Sequence, residues 1–223
     1  MQVIGLGGGG STVEQGSLLR RYVLEASGAE RPKICFVPTA VGDQTEGIVR
    51  FHELWEGLGE LSVAKFFPWP RPDLREHVLS RDVVVVSGGN TANMLAIWRV
   101  HGFEALLREA WEAGVVLTGG SAGMICWYEA YVTDSFGPQL EGLRDGLGFL
   151  AGSACPHYDG EERRRPRYRE LVDDGFPAGI AADDGVALRY DGTELAEIVS
   201  ARPGAQAYRV EPGAETPLGA RML

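Results

Sequence analysis

The segment Val115-Val116-Leu117-Thr118-Gly119-Gly120-Ser121-Ala122-Gly123-Met124 joins an apolar run to a stretch of helical character through a glycine-rich turn. A short run of β-branched and aliphatic residues predicts a strand covered on both faces, as in a parallel sheet flanked by helices. The turn reads Gly-x-Ser-x-Gly, a pattern typical of a nucleophile on a sharp strand-to-helix turn. Ser121 is therefore a candidate nucleophile. Taken alone, the pattern also fits a tight turn in which Ser121 caps the helix.

Working outward from this segment, the N-terminal half repeats the alternation of buried strand and amphipathic helix. The predicted strands are residues 2–6, 33–38, 61–67, 82–87 and 115–118, and the predicted helices are residues 13–26, 46–58, 74–80, 91–100 and 103–113. This order predicts an α/β fold with a mostly parallel sheet and helices on both faces.

The pattern changes after Ser121. We expect a helix to about Tyr131, a helix over residues 167–172 and strands over 186–190 and 194–200, which predict a small antiparallel C-terminal extension of the sheet. A chain of 223 residues can bury one sizeable core. We therefore expect residues 1–223 to form a single domain.

The composition excludes several classes of partner. A net charge of −10 would repel nucleic-acid phosphates and anionic lipid surfaces, so neither partner is expected. Neither a long apolar stretch nor a secretion signal is evident, which predicts a cytoplasmic protein. Three widely spaced cysteines, without a Cys-x-x-Cys or His-x-x-x-His pair, predict no metal site.

The glycine run Gly5-Leu6-Gly7-Gly8-Gly9-Gly10 satisfies the Gly-x-Gly-x-x-Gly pattern of dinucleotide-binding proteins. Four successive glycines satisfy many patterns, however, and no acidic residue ends the second predicted strand to bind a ribose hydroxyl. We therefore expect no cofactor.

A second glycine-rich turn, Ser87-Gly88-Gly89-Asn90-Thr91, follows another buried strand. The carboxyl ends of parallel strands meet at one edge of a sheet, where ligands bind. The N–H groups of Gly89 and Ala122 are therefore the predicted oxyanion donors. The alternative is a glycine-rich strand exit capped by Asn90.

The general base must come from four histidines: His52, His77, His101 and His157. The first two lie in helical patterns and the third at a helix end. His157 stands between Pro156 and Tyr158 after an apolar stretch, so it is the predicted base. Its orienting acid is Asp134 or Asp184, and the residue pattern leaves both open.

These segments together resemble the peptidase E (aspartyl dipeptidase) family of serine peptidases, which includes the cyanophycinases. The similarity lies in Gly88-Gly89-Asn90-Thr91, Gly120-Ser121-Ala122-Gly123 and Pro156-His157-Tyr158, in that order. It implies a class I glutamine amidotransferase-like fold with Ser in place of Cys.

The resemblance also implies the acid and the substrate. The family has a Glu before a Gly, and Asp184 matches it, one methylene shorter; Asp183 and Asp134 remain alternative acids. Family members often cleave after an N-terminal Asp, which implies that Arg163, Arg164 or Arg165 binds an acidic side chain. Asn90, in the matching Gly-Gly-Asn-Thr turn, is a further predicted substrate-binding residue.

The expected partner is a small peptide. Two alternatives stay open: a cyanophycinase-like or amidase activity, and a non-catalytic binding relative. No residue pattern decides between a monomer and a homodimer.

Overall fold

A computed structural model describes residues 1–9 and 12–223 of the chain. The strands are β1 Gln2–Leu6, β2 Lys33–Val37, β3 Glu60–Val63, β4 Val83–Val86, β5 Val116–Gly120, β6 Tyr128–Thr133, β7 Glu141–Leu143, β8 Leu150–Cys155, β9 Gly179–Ala182, β10 Val186–Asp191, β11 Glu194–Ser200, β12 Ala207–Glu211, β13 Ala214–Gly219 and β14 Arg221–Met222. The helices are α1 Val13–Ala26, α2 Thr45–Trp55, α3 Leu74–Leu79, α4 Thr91–His101, α5 Phe103–Glu112, α6 Ala122–Ile125 and α7 Arg164–Asp173.

The main sheet has eight strands in the order β14-β11-β10-β1-β5-β4-β2-β3. The five strands from β1 to β3 in this order are parallel, and β10 and β11 add antiparallel pairs beside β1. The predicted α/β fold class and its antiparallel C-terminal strands are confirmed. The predicted strand and helix ends in the N-terminal half differ from the observed ends by only a few residues.

Alternate residues of the central strands bury opposite faces of this sheet, as the twofold repeat of a strand requires. Val83 and Val85 pack in a cluster with α1 and α2. Val84 and Val86 pack in a second cluster with α3, α4 and α5. Because helices cover both faces, the strands read as continuous apolar runs in the sequence.

The C-terminal half contains a second sheet that the sequence did not predict. Its six strands lie in the order β13-β12-β9-β8-β6-β7, with α7 packed on one face. The predicted helix to about Tyr131 is wrong, because α6 ends at Ile125 and residues 128–133 form β6. Aromatic and β-branched residues in this stretch favour a strand, and β6 pairs with β7 and β8.

No helix in the described part of the chain combines the length and the apolar character that a transmembrane span requires.

Two glycines allow the turn after β5 to pack against β4. A Cβ atom on Gly119 would lie 2.4 Å from the Val86 carbonyl oxygen, and one on Gly123 would lie at the same distance from that oxygen. The backbones approach too closely for any larger residue. The start of α6 is thereby held against the carboxyl end of β4.

The Gly119→Ala variant is expected to lose about 1–3 kcal/mol of unfolding free energy, because its methyl group must displace a strand carbonyl. Thermal unfolding of the wild type and the variant measures the loss. Gly120→Ala is the matched control, since its Cβ would meet only Leu6 atoms at 3.8 Å. Equal melting temperatures for Gly119→Ala and Gly120→Ala would contradict the packing argument.

Candidate active site

The predicted nucleophile follows β5 directly, at the carboxyl edge of the main sheet. Ser121 has φ 56° and ψ −114°, a backbone conformation that residues other than glycine adopt only where their surroundings enforce it. Its side chain accepts no hydrogen bond from the first turn of α6. The capping interpretation of Ser121 is therefore not supported, and the geometry is that of a strained strand-to-helix turn.

The end of β1 anchors both the candidate nucleophile and the candidate base. The carbonyl oxygen of Leu6 accepts a hydrogen bond from the Ser121 N–H at 3.1 Å. The next carbonyl, that of Gly7, accepts one from the His157 N–H at 3.0 Å. Two neighbouring peptide groups thus bring together residues that lie far apart in the chain.

The third carbonyl in this row anchors the candidate acid. The Gly8 oxygen accepts a hydrogen bond from the Gly185 N–H at 3.1 Å, directly after Asp184. Gly185 precedes β10, which pairs with β1. We call residues 6–8 the β1 exit.

His157 and Asp184 form a close pair. His157 Nδ1 lies 2.6 Å from Asp184 Oδ1, and the two side chains are 24% and 29% exposed. The hydrogen bond from His157 holds the pKa of Asp184 below its usual range, against the opposing effect of burial, and the charges of His157, Arg202 and Arg164 lower it further. An ionised carboxylate only accepts hydrogen bonds, so in the neutral imidazole Nδ1 would carry the proton and leave Nε2 as an acceptor.

The two alternative acids have other partners. Asp134 is 56% exposed in its side chain and lies 3.8 Å from Arg164 Nη2. Asp183 is buried, and its Oδ2 accepts a hydrogen bond from the Gln206 N–H at 3.0 Å. Burial raises the pKa of Asp183. Of the three carboxylates, Asp184 is the one in contact with His157.

The predicted oxyanion donors flank Ser121. A Cβ atom on Gly88 would lie 3.4 Å from the Ser121 Cβ, so the turn after β4 passes beside the nucleophile. Gly89 has φ 131°, and a Cβ atom there would lie 2.3 Å from the Ala40 carbonyl oxygen. Neither the Gly89 nor the Ala122 N–H donates to a backbone carbonyl of the described residues.

Asn90 has structural partners on both ends of its amide. Its side-chain oxygen caps α4 by accepting the Asn93 N–H at 2.9 Å, and its Nδ2 donates to the Ser135 carbonyl at 2.7 Å. The Ser135 hydroxyl also accepts the Ala92 N–H at 3.2 Å. Asn90 therefore ties the segment after β6 to the beginning of α4.

The three predicted arginines differ in their surroundings. Arg164 is buried and binds Glu161, with Nε 2.7 Å from Oε2. Arg165 is paired with Glu215 and stacks over the rings of Tyr158 and Tyr208.

Arg163 is exposed, and its guanidinium has no ion-pair or hydrogen-bond partner within residues 1–9 and 12–223. It lines a groove with Gln139, Leu140 and Pro166. This groove includes part of the connection after β6 that Asn90 ties to α4.

The β1 exit was missed as a site element by sequence reasoning. A Cβ atom on Gly8 would lie 1.8 Å from Asp184 Oδ1 and 2.9 Å from His157 Nδ1. One on Gly7 would lie 2.3 Å from the Asp183 carbonyl oxygen. The glycine run therefore leaves space for the His157 and Asp184 side chains. The run of glycines was the signal in the sequence that could have predicted this part of the site. Gly10, the last glycine of the run, lies outside the described residues.

The described residues contain no group of three or more His, Cys, Asp or Glu side chains that could hold a metal ion. Cys35, Cys126 and Cys155 are buried free thiols.

Comparison with known proteins assigns the family. The family model of peptidase family S51 matches residues 3–198. The chain belongs to peptidase family S51. Members of this family are classed as peptidases. The resemblance inferred from the three sequence motifs is confirmed.

Curated relatives agree with this assignment. A Bacillus subtilis (strain 168) protein named uncharacterized peptidase YgaJ is 48% identical over 229 residues, which cover 100% of this chain and 99% of the relative. A Shewanella denitrificans protein named peptidase E is 29% identical over 149 residues, 63% of each chain.

Solved structures share the fold. A peptidase from an acI-B1 actinobacterium superposes with a TM-score of 0.68 at 20% identity, over 98% of this chain and 94% of the other. A putative peptidase E from Listeria monocytogenes EGD-e gives 0.62 at 19% identity, over 90% and 98%.

Gly8→Ala is expected to lower the rate of peptide hydrolysis at least about 100-fold, because its methyl group would displace the Asp184 carboxylate from His157. Gly9→Ala is the matched control, since a Cβ there would have no atom of the described residues within 4 Å. Steady-state hydrolysis and thermal unfolding of both variants separate a site effect from a folding effect. Equal rates for the two variants would show that the close approach of Gly8 is not required.

Proposed function

We propose that this S51 member is a serine peptidase that uses Ser121, His157 and Asp184 as its catalytic triad. Ser121 Oγ attacks the scissile carbonyl carbon, and its proton passes to His157 Nε2. Asp184 stabilises the imidazolium. The N–H groups of Gly89 and Ala122 bind the oxyanion of the tetrahedral intermediate.

The second half of the reaction regenerates the enzyme. Collapse of the intermediate breaks the peptide C–N bond, and the departing amine takes the proton from His157. Water then attacks the acyl-enzyme, with His157 as the base, and releases the carboxylic acid and the Ser121 hydroxyl. The reaction consumes one water per peptide bond.

One observation carries this proposal: the 2.6 Å pair of His157 Nδ1 and Asp184 Oδ1 stands beside the turn of Ser121, on neighbouring carbonyls of the β1 exit. A nucleophile with an adjacent base, which is oriented in turn by an acid, is the arrangement that activates a serine. The strained backbone of Ser121 supports the same reaction, as do the N–H groups of Gly89 and Ala122, which have no backbone acceptor among the described residues.

We propose a small peptide with an N-terminal Asp as the substrate, cleaved after that residue. The resemblance of the three sequence motifs to the peptidase E (aspartyl dipeptidase) family supports a substrate of this kind. Arg163 supports it as well, because its guanidinium has no partner among residues 1–9 and 12–223 and could bind a carboxylate. The guanidinium group of Arg164 already binds Glu161, and that of Arg165 already binds Glu215.

Ser121→Ala is expected to abolish hydrolysis, whereas the wild type cleaves Asp-Xaa dipeptides and unblocked Asp-p-nitroanilide. A panel of dipeptides and aminoacyl p-nitroanilides, with a fluorophosphonate probe on both proteins, tests this. Labelling of wild type but not of Ser121→Ala identifies the nucleophile independently of the substrate. Cleavage of every substrate by Ser121→Ala at the wild-type rate would overturn the triad.

Arg163→Gln is expected to raise KM for Asp-Xaa substrates at least about tenfold, the effect of losing about 1.5 kcal/mol of a charge-assisted hydrogen bond. Substrates with a neutral N-terminal residue should be unaffected. Arg50→Gln, on the exposed face of α2, is the matched control for loss of one surface charge. Unchanged KM for the acidic substrates in Arg163→Gln would exclude this residue from substrate recognition.

A further inference from the structure

The peptide groups on both sides of the Asp184 Cα atom are held by side chains. The Asp184 N–H donates to Asp159 Oδ1 at 2.9 Å. The Asp184 carbonyl oxygen accepts a hydrogen bond from Arg202 Nε at 3.1 Å. Asp159 and Arg202 also bind each other, through Oδ2 and Nη2. The ion pair therefore binds the backbone of Asp184 through two hydrogen bonds. We call the pair of Asp159 and Arg202 the Asp184 clamp.

Each member of the clamp is anchored on a different part of the site. Asp159 lies two residues after His157, in a turn where the Tyr158 N–H binds the Ala182 carbonyl at 3.1 Å. A displacement of Asp159 would thus shift the positions of both His157 and Asp184.

Arg202 follows the end of β11. Its backbone N–H donates a hydrogen bond to the Ser200 hydroxyl at 3.1 Å, and its carbonyl oxygen accepts one from the same hydroxyl at 2.7 Å. The neighbouring Ala201 N–H donates to the Gly185 carbonyl at 2.9 Å. The clamp therefore connects the turn that carries the base to the main sheet.

The Asp184 carboxylate occupies a narrow slot. A Cβ atom on Gly160 would lie 2.2 Å from Asp184 Oδ2, and one on Gly8 would lie 1.8 Å from Oδ1. With so little room, the direction of the side chain depends on the orientation of the Asp184 backbone. A short aspartate has only two side-chain torsions with which to correct an error in that orientation.

The clamp contributes little to stability as an ion pair. Its side chains are 27% and 34% exposed for Arg202 and Asp159, and ion pairs near solvent are worth about 0–1 kcal/mol. Its contacts converge on one residue, Asp184, which argues for a role in orienting that residue. Removing the clamp should therefore change the reaction rate more than the stability.

We propose that Asp159 and Arg202 are positioning residues, which hold the Asp184 carboxylate against His157 Nδ1 during the reaction. The proposal rests on the proposed function of Asp184. Neither residue touches the substrate in this role. They act on the turnover rate, because a displacement of about 1 Å at a catalytic group can cost 100-fold in rate.

Asp159→Ala and Arg202→Gln are expected to lower kcat about 10- to 100-fold and to change KM less than about twofold. Asp159→Asn keeps an oxygen that can accept the Asp184 N–H, so it should retain more activity than Asp159→Ala. Arg75→Gln is the control, since it breaks an ion pair with Glu109 that joins α3 to α5. Its kcat should equal that of the wild type.

A double-mutant cycle with Asp184→Asn tests whether the clamp acts through Asp184. Once Asp184 can no longer support His157, Asp159→Ala should cost little more, so the two losses should not multiply. Losses that multiply would overturn the proposal, as would a wild-type kcat in both Asp159→Ala and Arg202→Gln.

Failure of the clamp is distinguishable from failure of the triad. If Ser121→Ala is inactive while both clamp variants retain full kcat, only the positioning role is lost. If Ser121→Ala remains active, the proposed function itself fails. Should Asp159→Ala or Arg202→Gln not fold, the kcat and KM of Asp159→Asn and Arg202→Lys decide, with a wild-type kcat in both overturning the proposal.

Discussion

The row of backbone carbonyls at the β1 exit is the constraint on which the rest of the site depends. Leu6, Gly7 and Gly8 each accept one N–H, from Ser121, His157 and Gly185. Main-chain hydrogen bonds have fixed geometry, and β1 is held between β5 and β10. The relative placement of the three segments therefore comes from the sheet, and the side chains add only the final contact.

This anchoring explains how two unfavourable backbone conformations persist. Ser121 and His157 have φ of 56° and 52°, in the region that L-residues seldom occupy. Such conformations cost on the order of 1–3 kcal/mol each and survive where neighbouring structure enforces them. At both positions the backbone N–H is bound to the β1 exit, so the strain is offset by hydrogen bonds to the most central part of the fold.

The aspartate at position 184 shows how the same site accommodates a shorter acid. The resemblance matches Asp184 to a position where the family has a glutamate, whose extra methylene would reach further from the backbone. Here the Asp184 carboxylate itself lies 2.6 Å from His157 Nδ1, and Gly8 and Gly160 leave space for it on either side. Asp159 and Arg202 bind the peptide groups of Asp184 in this close position. His157 thus has the shorter acid as its partner, in a position that side chains and glycines define.

The sequence by itself determined the local features: the alternating strands and helices of the first half and the sharp turn at Ser121. It also predicted His157, and not the other histidines, as the base. These follow from periodicity and turn chemistry over a few residues. The residue pattern left Asp134 and Asp184 open, and the resemblance favoured Asp184. Only the tertiary structure decided that Asp184 contacts His157, that β6 belongs to a second sheet and that the glycine run supports the site. The reason is physical: each of these depends on hydrogen bonds between residues distant in the chain, and such pairings leave no local pattern in the sequence.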